Sequence, residues 1–164
     1  MPILTPHTLE FFSRSAAQTR RVGMRLGGLL RIGDVICLIG DLGSGKTTLV
    51  QGVAAGWGSL DQVTSPTFVL ANAYRHPGGG RLFHIDAYRL SGPTEAEALD
   101  LDTMLATGLL VVEWADHILD ALPTSYLRVD CHWIDDERRG MRFSARGGRY
   151  RELLAAFRQK IYVV

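Results

Sequence analysis

The sequence predicts an α/β domain of three layers, α/β/α, around a mixed, mostly parallel sheet. Apolar strand-like runs alternate along the chain with segments of helical periodicity, the pattern of a parallel sheet covered on both faces. The run Val35–Ile39 is apolar throughout, as expected of a strand buried on both faces. The glycine-rich joint at residues 76–80 can only be a turn, so it adds an antiparallel hairpin.

Length and composition are typical of one soluble domain. The chain has 164 residues, 46 % hydrophobic and 21 % charged, so residues 1–164 are expected to form a single domain. A formal net charge of +1 excludes a strong overall field, so contact with nucleic acid needs a local patch or a partner. No apolar run approaches the roughly 18 residues of a membrane span. Cys37 and Cys131 lie in apolar runs and are expected to be reduced core residues of a cytoplasmic protein.

The first half of the chain predicts a strand, a helix, a second strand and a second helix. The segment TLEFF alternates as a short strand, with Leu9 and Phe11 on one face. Ser15 is a candidate N-cap of a helix that continues until Gly33 stops it, and the second helix begins at Lys46. The inward stripes of the two helices are Val22, Leu26, Leu29 and Leu30 in the first, and Leu49, Val50, Val53, Ala54 and Trp57 in the second.

The second half of the chain predicts the hairpin, an acidic helix, further strands and a last helix. Residues 67–75 and 81–86 form the hairpin, and residues 93–107 follow a helical pattern. Glu95 and Glu97 lie in the first turn of that helix, where the helix dipole favours them. Further strands are predicted at residues 109–112, 126–134 and 141–145, and the last helix carries Leu153, Leu154 and Phe157.

The loop behind the apolar strand reads GDLGSGKTT and matches the phosphate-binding pattern G-x-x-x-x-G-K-[ST] from Gly40 to Thr47. Its glycines let backbone N–H groups converge on phosphate oxygens, and the helix that follows directs its positive end at the same anion. Lys46 is expected to reach the β- and γ-phosphates, and the Thr47 hydroxyl to bind Mg²⁺. The fold is therefore expected to be P-loop NTPase-like; the alternative is a glycine turn that only caps a helix. The predicted nucleotide-binding residues are Gly43, Ser44, Gly45, Lys46, Thr47 and Thr48.

Two acids end predicted strands near this loop. Glu113 follows the apolar run LLVV, and Asp86 ends LFHID, where alternation places His84 and Asp86 on one face. A nucleotide loop needs such a carboxylate to hold Mg²⁺ or its water shell. We assign Glu113 to the metal and Asp86 to the metal or to the attacking water, although the two roles could be exchanged. The alternatives are helix capping by Glu113 and a surface salt bridge between Asp86 and Arg89.

Other residues near these motifs have two interpretations each. Residues 63–68 (VTSPTF) follow the helix after the phosphate loop, where a loop that senses the nucleotide would lie. Thr67 could reach the metal or the γ-phosphate there; a proline-fixed turn that starts a strand is equally compatible. Trp114 is either core or part of the site. His7, His76, His117 and His132 show no metal-ligand spacing and are expected at the surface or in the core.

The motifs GDLGSGKTT, SPTF, HIDAYRL and VVEW, in this order and spacing, closely resemble the small ATPase family of bacterial tRNA threonylcarbamoyladenosine biosynthesis (TsaE, formerly YjeE). The resemblance covers roughly Ser15 to Pro123. Ser44 stands where the family usually has alanine, which leaves the backbone cradle intact. Asp100 stands where the family usually has glycine, so the resemblance does not determine the residue at which the acidic helix ends. Beyond Pro123 no family motif is found; the arginines that could approach the nucleotide there are Arg138, Arg139 and Arg142.

This resemblance implies an ATPase that works inside a complex, with ATP and Mg²⁺ as ligands. Lys46, Asp86 and Glu113 would be the catalytic residues, and Thr47 and Glu113 the metal ligands. The implied partners are the two-subunit TsaB–TsaD threonylcarbamoyl transferase and, through it, tRNA. We expect slow hydrolysis by the protein alone, because no second lysine or arginine occupies an evident arginine-finger position.

Two other functions use the same loop. A small-molecule kinase needs an acceptor pocket and a basic lid, but the chain offers the acidic segment PTEAEALDLD at that place. A GTP-dependent switch needs a guanine-reading N-K-x-D motif, and none occurs in the sequence. The acidic residues 95–102 are instead our first candidate for a partner-binding face.

Overall fold

The structure, a computed structural model, describes residues 7–64, 71–90 and 93–161. Within these residues the strands form one seven-stranded sheet in the order β1-β7-β6-β2-β5-β4-β3. The strands are β1 (Thr8–Ser13), β2 (Val35–Ile39), β3 (Ala71–Arg75), β4 (Arg81–Asp86), β5 (Gly108–Glu113), β6 (Tyr126–Trp133) and β7 (Arg139–Arg146).

The middle of the sheet is parallel and its margins are antiparallel. Strand β2 pairs in parallel with β5 and β6, and β5 pairs in parallel with β4. Strands β3 and β7 run against their neighbours, and β1 pairs antiparallel with β7. The predicted mixed sheet and its hairpin are therefore confirmed, with three parallel and three antiparallel pairings among the described strands. Residues 67–70 of the predicted hairpin lie outside the described residues.

Helices cover both faces of the sheet. They are α1 (Ala16–Gly27), α2 (Lys46–Trp57), α3 (Pro93–Ala96), α4 (Leu101–Thr107) and α5 (Gly148–Ile161). Ser15 caps α1 as predicted, because its side chain accepts a hydrogen bond from the backbone N–H of Gln18 at 3.1 Å. The helix ends at Gly27, earlier than the predicted stop at Gly33. No helix in the described part of the chain is long and apolar enough to cross a membrane.

The acidic helix predicted over residues 93–107 is interrupted, and the prediction of one continuous helix is wrong. After α3 a short 3₁₀ turn leads to Asp100, which adopts a left-handed backbone with φ 52° and ψ 60°. A left-handed residue cannot continue a right-handed helix, so α4 begins anew at Leu101. Asp100 is a residue type that tolerates this conformation, and its carboxylate accepts from the Thr103 hydroxyl at 2.8 Å.

The sheet separates two hydrophobic clusters. The larger one lies under α1, α2 and α5, where residues such as Leu26, Val53 and Phe157 are fully buried. The smaller one lies under α3, α4 and the 3₁₀ turns that follow β5. Cys37 and Cys131 are both buried free thiols, as predicted, and burial raises the pKa of each to about 12.

Helices α1 and α2 approach each other backbone to backbone through glycines. A Cβ built on Gly52 would lie well under 3.0 Å from the carbonyl oxygen of Arg20, and one on Gly27 would meet the carbonyl oxygen of Val53. Gly23 and Gly56 face the partner helix in the same way. Glycine spacing of four residues in both helices thus lets α2 lie directly on α1. Through Gly23, which approaches the carbonyl oxygen of Leu49, this contact reaches the first turn of α2, directly after the loop at residues 40–45.

Replacing Gly52 with alanine is expected to lower the free energy of unfolding by about 1–3 kcal/mol, because the new methyl group overpacks against rigid backbone. This cost exceeds the gain of about 1 kcal/mol that alanine brings to a helix interior. Thermal or urea unfolding measures the difference. Gly28→Ala is the matched control, since its nearest atom is 3.7 Å away and its φ is −65°. Equal stability of the two variants would contradict the close approach of the helices.

Candidate nucleotide-binding site

The candidate site lies where β2, β4 and β5 end, at the carboxyl edge of the parallel strands. Open α/β sheets bind ligands in the crevice at this edge. The glycine loop follows β2, and a cavity of about 380 Å³ opens above it. The residues that line the cavity are Ala16, Thr19, residues 42–48, Asp86, Glu113, Trp114, Asp136, Glu137 and Arg139. The structure thus brings together the predicted residues 43–48, Asp86 and Glu113.

The shape of the loop depends on glycines with positive φ, a backbone conformation that other residues rarely adopt. Gly43 has φ 78° and Gly45 has φ 96°, both in the left-handed region. Gly45 directly precedes α2, whose first residue is Lys46. The first N–H groups of a helix have no partner within that helix, and residues 42–48 line the cavity, which makes the loop a natural anion cradle.

Lys46 is only 6 % exposed and turns back onto the loop. Its ammonium donates to the carbonyl oxygens of Gly40 and Asp41, the latter at 2.8 Å, and lies 3.3 Å from the Ser44 hydroxyl. Burial lowers the pKa of Lys46, while the nearby Glu113 carboxylate acts in the opposite direction. The ammonium therefore lies inside the cradle, held by loop oxygens that a phosphate could replace.

Trp114 forms one wall of the same cavity in a strained conformation. The Lys46 ammonium lies 4.2 Å from its ring centroid, a cation–π distance. Trp114 has φ 57°, which is rare for a bulky residue, and strain of this kind concentrates at functional sites. Tyr88 and His117 pack against the ring at 4.9 Å and 5.6 Å between centroids. This position favours the second of the two interpretations of Trp114, a residue of the site.

Glu113 lies at the centre of the polar contacts. It is 5 % exposed, and its Oε1 accepts from the Thr47 hydroxyl at 3.2 Å. Its Oε2 lies 2.5 Å from Nε2 of His84, which is fully buried. Thr47 and Glu113, the two residues assigned to the metal from the sequence, therefore lie in direct contact. The His84 contact was not predicted, although alternation along β4 places His84 on the face that carries Glu113.

Asp86 lies beside Glu113, since the two are partners in the register of β4 and β5. Its Oδ1 accepts from the backbone N–H of Tyr88 at 2.9 Å, and the residue lines the cavity half-buried. Among the described ion pairs none joins Asp86 to Arg89, so the salt-bridge alternative finds no support. One carboxylate oxygen of Asp86 thus binds the backbone after β4, and the side chain lines the cavity.

Arg139 lies at the site and is one of the three arginines considered from the sequence as able to approach the nucleotide. Its side-chain carbons pack over Gly45, 3.4 Å from the position of a built Cβ, and it lines the cavity. Its guanidinium donates to the backbone carbonyls of Asp135 and Arg138 at 2.5 Å and 2.9 Å. Of the other two arginines considered, Arg138 pairs with Asp135, and Arg142 points into a separate groove. The sequence alone did not distinguish Arg139 from Arg138 and Arg142, because its place at the site depends on the distant β6–β7 turn.

Residues 65–70 lie outside the described residues, so Thr67 of the predicted sensing loop has no described position. Thr64 is described, and its carbonyl oxygen accepts from Asn72 at 3.1 Å and Tyr74 at 3.0 Å. Within the described ranges, no group of three or more His, Cys, Asp and Glu side chains is arranged to hold a metal ion. His76 packs on Trp57 at 4.7 Å, away from the cavity.

The residues present fit a magnesium–nucleotide complex. Mg²⁺ in such sites is bound by one or two protein oxygens together with substrate phosphates and waters. The oxygens of Thr47 and Glu113 are 3.2 Å apart. Adjacent corners of an octahedron with metal–oxygen distances of about 2.1 Å are separated by about 3.0 Å. Thr47 and Glu113 could therefore become neighbouring ligands with little movement.

Comparison with known proteins gives one consistent result. The family model of the threonylcarbamoyl adenosine biosynthesis protein TsaE matches residues 13–141, which extends beyond Pro123 into β7. The tRNA threonylcarbamoyladenosine biosynthesis protein TsaE of Streptomyces coelicolor is 48 % identical over 112 residues, 67 % of this chain and 76 % of that protein. The protein of the same name from Bacillus subtilis is 37 % identical over 146 residues, 88 % and 90 % of the two chains.

The fold has a close match among solved structures. The crystal structure of YdiB from Bacillus subtilis superposes with a TM-score of 0.77 at 30 % identity, covering 93 % of this chain and 95 % of that one. The family resemblance and the P-loop NTPase-like fold expected from the sequence are thereby confirmed. This chain belongs to the TsaE family of tRNA threonylcarbamoyladenosine biosynthesis proteins.

Proposed function

We propose that this protein binds and hydrolyses Mg–ATP to support the threonylcarbamoyladenosine modification of tRNA. The observation that carries the proposal is one cavity in which Lys46, Thr47, Asp86 and Glu113 converge on a phosphate-binding loop. We infer the pathway from membership of the TsaE family and the reaction from the residues that line the cavity. Phosphoryl transfer needs positioning and charge stabilisation more than covalent catalysis, and these residue types provide both.

Each residue has one task in this mechanism. The loop N–H groups and the Lys46 ammonium would bind the β- and γ-phosphates, with Lys46 exchanging its loop carbonyls for phosphate oxygens. Thr47 and Glu113 would hold Mg²⁺, which supplies neutralisation of phosphate charge when bound. Asp86 would orient the attacking water in line with the γ-phosphate. Glu113 and Asp86 are neighbours in register, so the metal and the water would lie side by side.

We expect slow turnover by the protein alone. Arg139 packs over Gly45, but Nη1 of its guanidinium donates to two backbone carbonyls of its own turn and would have to leave them to reach a phosphate. An arginine that stabilises the transition state is worth about 10³–10⁵ in rate. A partner that released Arg139, or added its own cation, would accelerate hydrolysis.

The partner we propose is the TsaB–TsaD threonylcarbamoyl transferase, in the cytoplasm, where buried free thiols such as Cys37 and Cys131 persist. Contact with tRNA would occur through that complex. The nucleotide could change partner affinity only by binding two conformations differently, typically by about 1–3 kcal/mol. We propose residues 64–67 as the segment that changes, and the acidic residues 95–102 as a first candidate face.

The test measures phosphate release by the purified protein with ATP and Mg²⁺, with EDTA and with GTP, in the presence and absence of both transferase subunits. We expect slow, Mg²⁺-dependent ATP hydrolysis that the subunits accelerate, and co-purification that depends on ATP. Phosphate transfer to a small acceptor would instead favour a kinase. Absence of ATP binding under all conditions would overturn the proposal.

A further inference from the structure

A chain of buried hydrogen bonds leads away from the candidate metal ligands. Glu113 Oε2 lies 2.5 Å from His84 Nε2, and His84 Nδ1 lies 2.9 Å from the Tyr74 hydroxyl. The Tyr74 hydroxyl lies 3.0 Å from the carbonyl oxygen of Thr64. The chain crosses three adjacent strands, β5, β4 and β3, and none of its members beyond Glu113 lines the nucleotide cavity.

The burial of these groups makes the contacts obligatory. His84 is 0 % exposed and Tyr74 is 3 % exposed, and both lie on the sheet face that carries the larger apolar cluster. A polar group removed from water is costly unless every donor and acceptor is used. An apolar residue in place of His84 would pack this face without that requirement. The imidazole therefore has a role that apolar packing does not explain.

The single hydroxyl hydrogen of Tyr74 limits the directions of its hydrogen bonds with His84 and Thr64. Tyr74 has one hydroxyl hydrogen, and burial raises its pKa, so the hydrogen stays on at neutral pH. Tyr74 either donates to Thr64 and accepts from His84 Nδ1, or donates to Nδ1. In the second case the Thr64 carbonyl keeps its other donor, Asn72, at 3.1 Å. With Glu113 ionised, His84 Nε2 donates to the carboxylate in both cases.

We propose that His84 and Tyr74 are positioning residues that hold the Glu113 carboxylate in the orientation in which it binds Mg²⁺ together with Thr47. Glu113 has two oxygens: Oε2 is tied to His84, which leaves Oε1 directed at Thr47 and the cavity. Tyr74 in turn fixes the imidazole ring through Nδ1. This inference rests on the proposed function and names residues outside the phosphate loop that determine the metal affinity of the site.

The experiment measures binding of a non-hydrolysable ATP analogue by calorimetry, in a MgCl₂ titration and separately in EDTA. Tyr74→Phe removes one hydroxyl and keeps the ring. We expect it to raise the Mg²⁺ concentration for half-maximal binding roughly two- to tenfold, the effect of one lost hydrogen bond. Affinity in EDTA should be unchanged, because the loop and Lys46 are untouched. His84→Leu should raise the Mg²⁺ requirement about 10–100-fold, and His84→Gln, which can still donate to Glu113, should restore part of it.

The matched control is Tyr150→Phe. The Tyr150 hydroxyl is also buried and accepts from the backbone N–H of Val35 at 2.8 Å, at the end of β2 opposite the phosphate loop. This variant should lose comparable stability without any change in Mg²⁺ dependence. An unchanged Mg²⁺ requirement in folded Tyr74→Phe, or equal shifts in both tyrosine variants, would overturn the inference. If the unmodified protein binds the analogue in neither condition, the proposed function itself fails, and the inference with it.

Discussion

Changing Lys46 to alanine is expected to reduce ATP hydrolysis by at least about 10²–10³-fold, the loss seen when one preorganised group that stabilises transition-state charge is removed. Lys46 is the buried cation of the phosphate loop, held by the carbonyl oxygens of Gly40 and Asp41. Without it, the charge that develops on the γ-phosphate would meet only loop N–H groups and Mg²⁺. Steady-state phosphate release at saturating Mg–ATP measures the effect.

The chain offers a convenient control, because its one other lysine is Lys160. That residue is exposed in the last turn of α5, remote from the loop, so Lys160→Ala should keep full activity. Circular dichroism should show both variants folded. Undiminished turnover in Lys46→Ala would refute the assignment of the phosphate loop and remove the basis of the proposed function.

The parts of the fold that follow from local sequence were predictable. The strand Val35–Ile39 and the helix from Lys46 are specified by apolar runs, a glycine loop and helical spacing within about twenty residues. The break at Asp100 was not, since a helical pattern of side chains does not reveal a single left-handed residue. The glycine contact between α1 and α2 was also not predicted, because the need for glycine at Gly52 and Gly27 becomes visible only when the two helices are packed together.

In the candidate site, too, features specified by local sequence were predicted and contacts between distant segments were not. Lys46 and Thr47 belong to one motif, and Asp86 and Glu113 were found because acids that end parallel strands meet at one edge. The contact of His84 with Glu113 and Tyr74 depends on the register of three strands, which no local pattern contains. The sequence offered Arg138, Arg139 and Arg142 as candidates, and which of them lies at the site depends on the position of the β6–β7 turn above Gly45. The contacts that could not be predicted from the sequence are therefore those between segments that lie far apart along the chain.

Separate roles for the two strand-end acids should appear as different kinetic defects in Glu113→Gln and Asp86→Asn. Glu113 contacts Thr47 directly, so its loss should weaken Mg²⁺ binding, with a requirement raised about 10–100-fold. The glutamine amide keeps the shape of the side chain and can still accept from His84. Asp86 has no such contact with Thr47, and its loss should leave the Mg²⁺ requirement nearly unchanged.

Asp86→Asn should instead lower turnover at saturating Mg²⁺ by about 10²–10⁴-fold, the usual contribution of a general base that acts on the nucleophile. An amide has no basic oxygen to accept the proton of an attacking water, whereas nucleotide binding does not depend on that oxygen. Turnover measured across a MgCl₂ titration separates the two defects in one experiment. If Asp86→Asn shifted the Mg²⁺ requirement and Glu113→Gln lowered only the saturated rate, the two assignments would have to be exchanged; if neither changed either quantity, hydrolysis would use other acids.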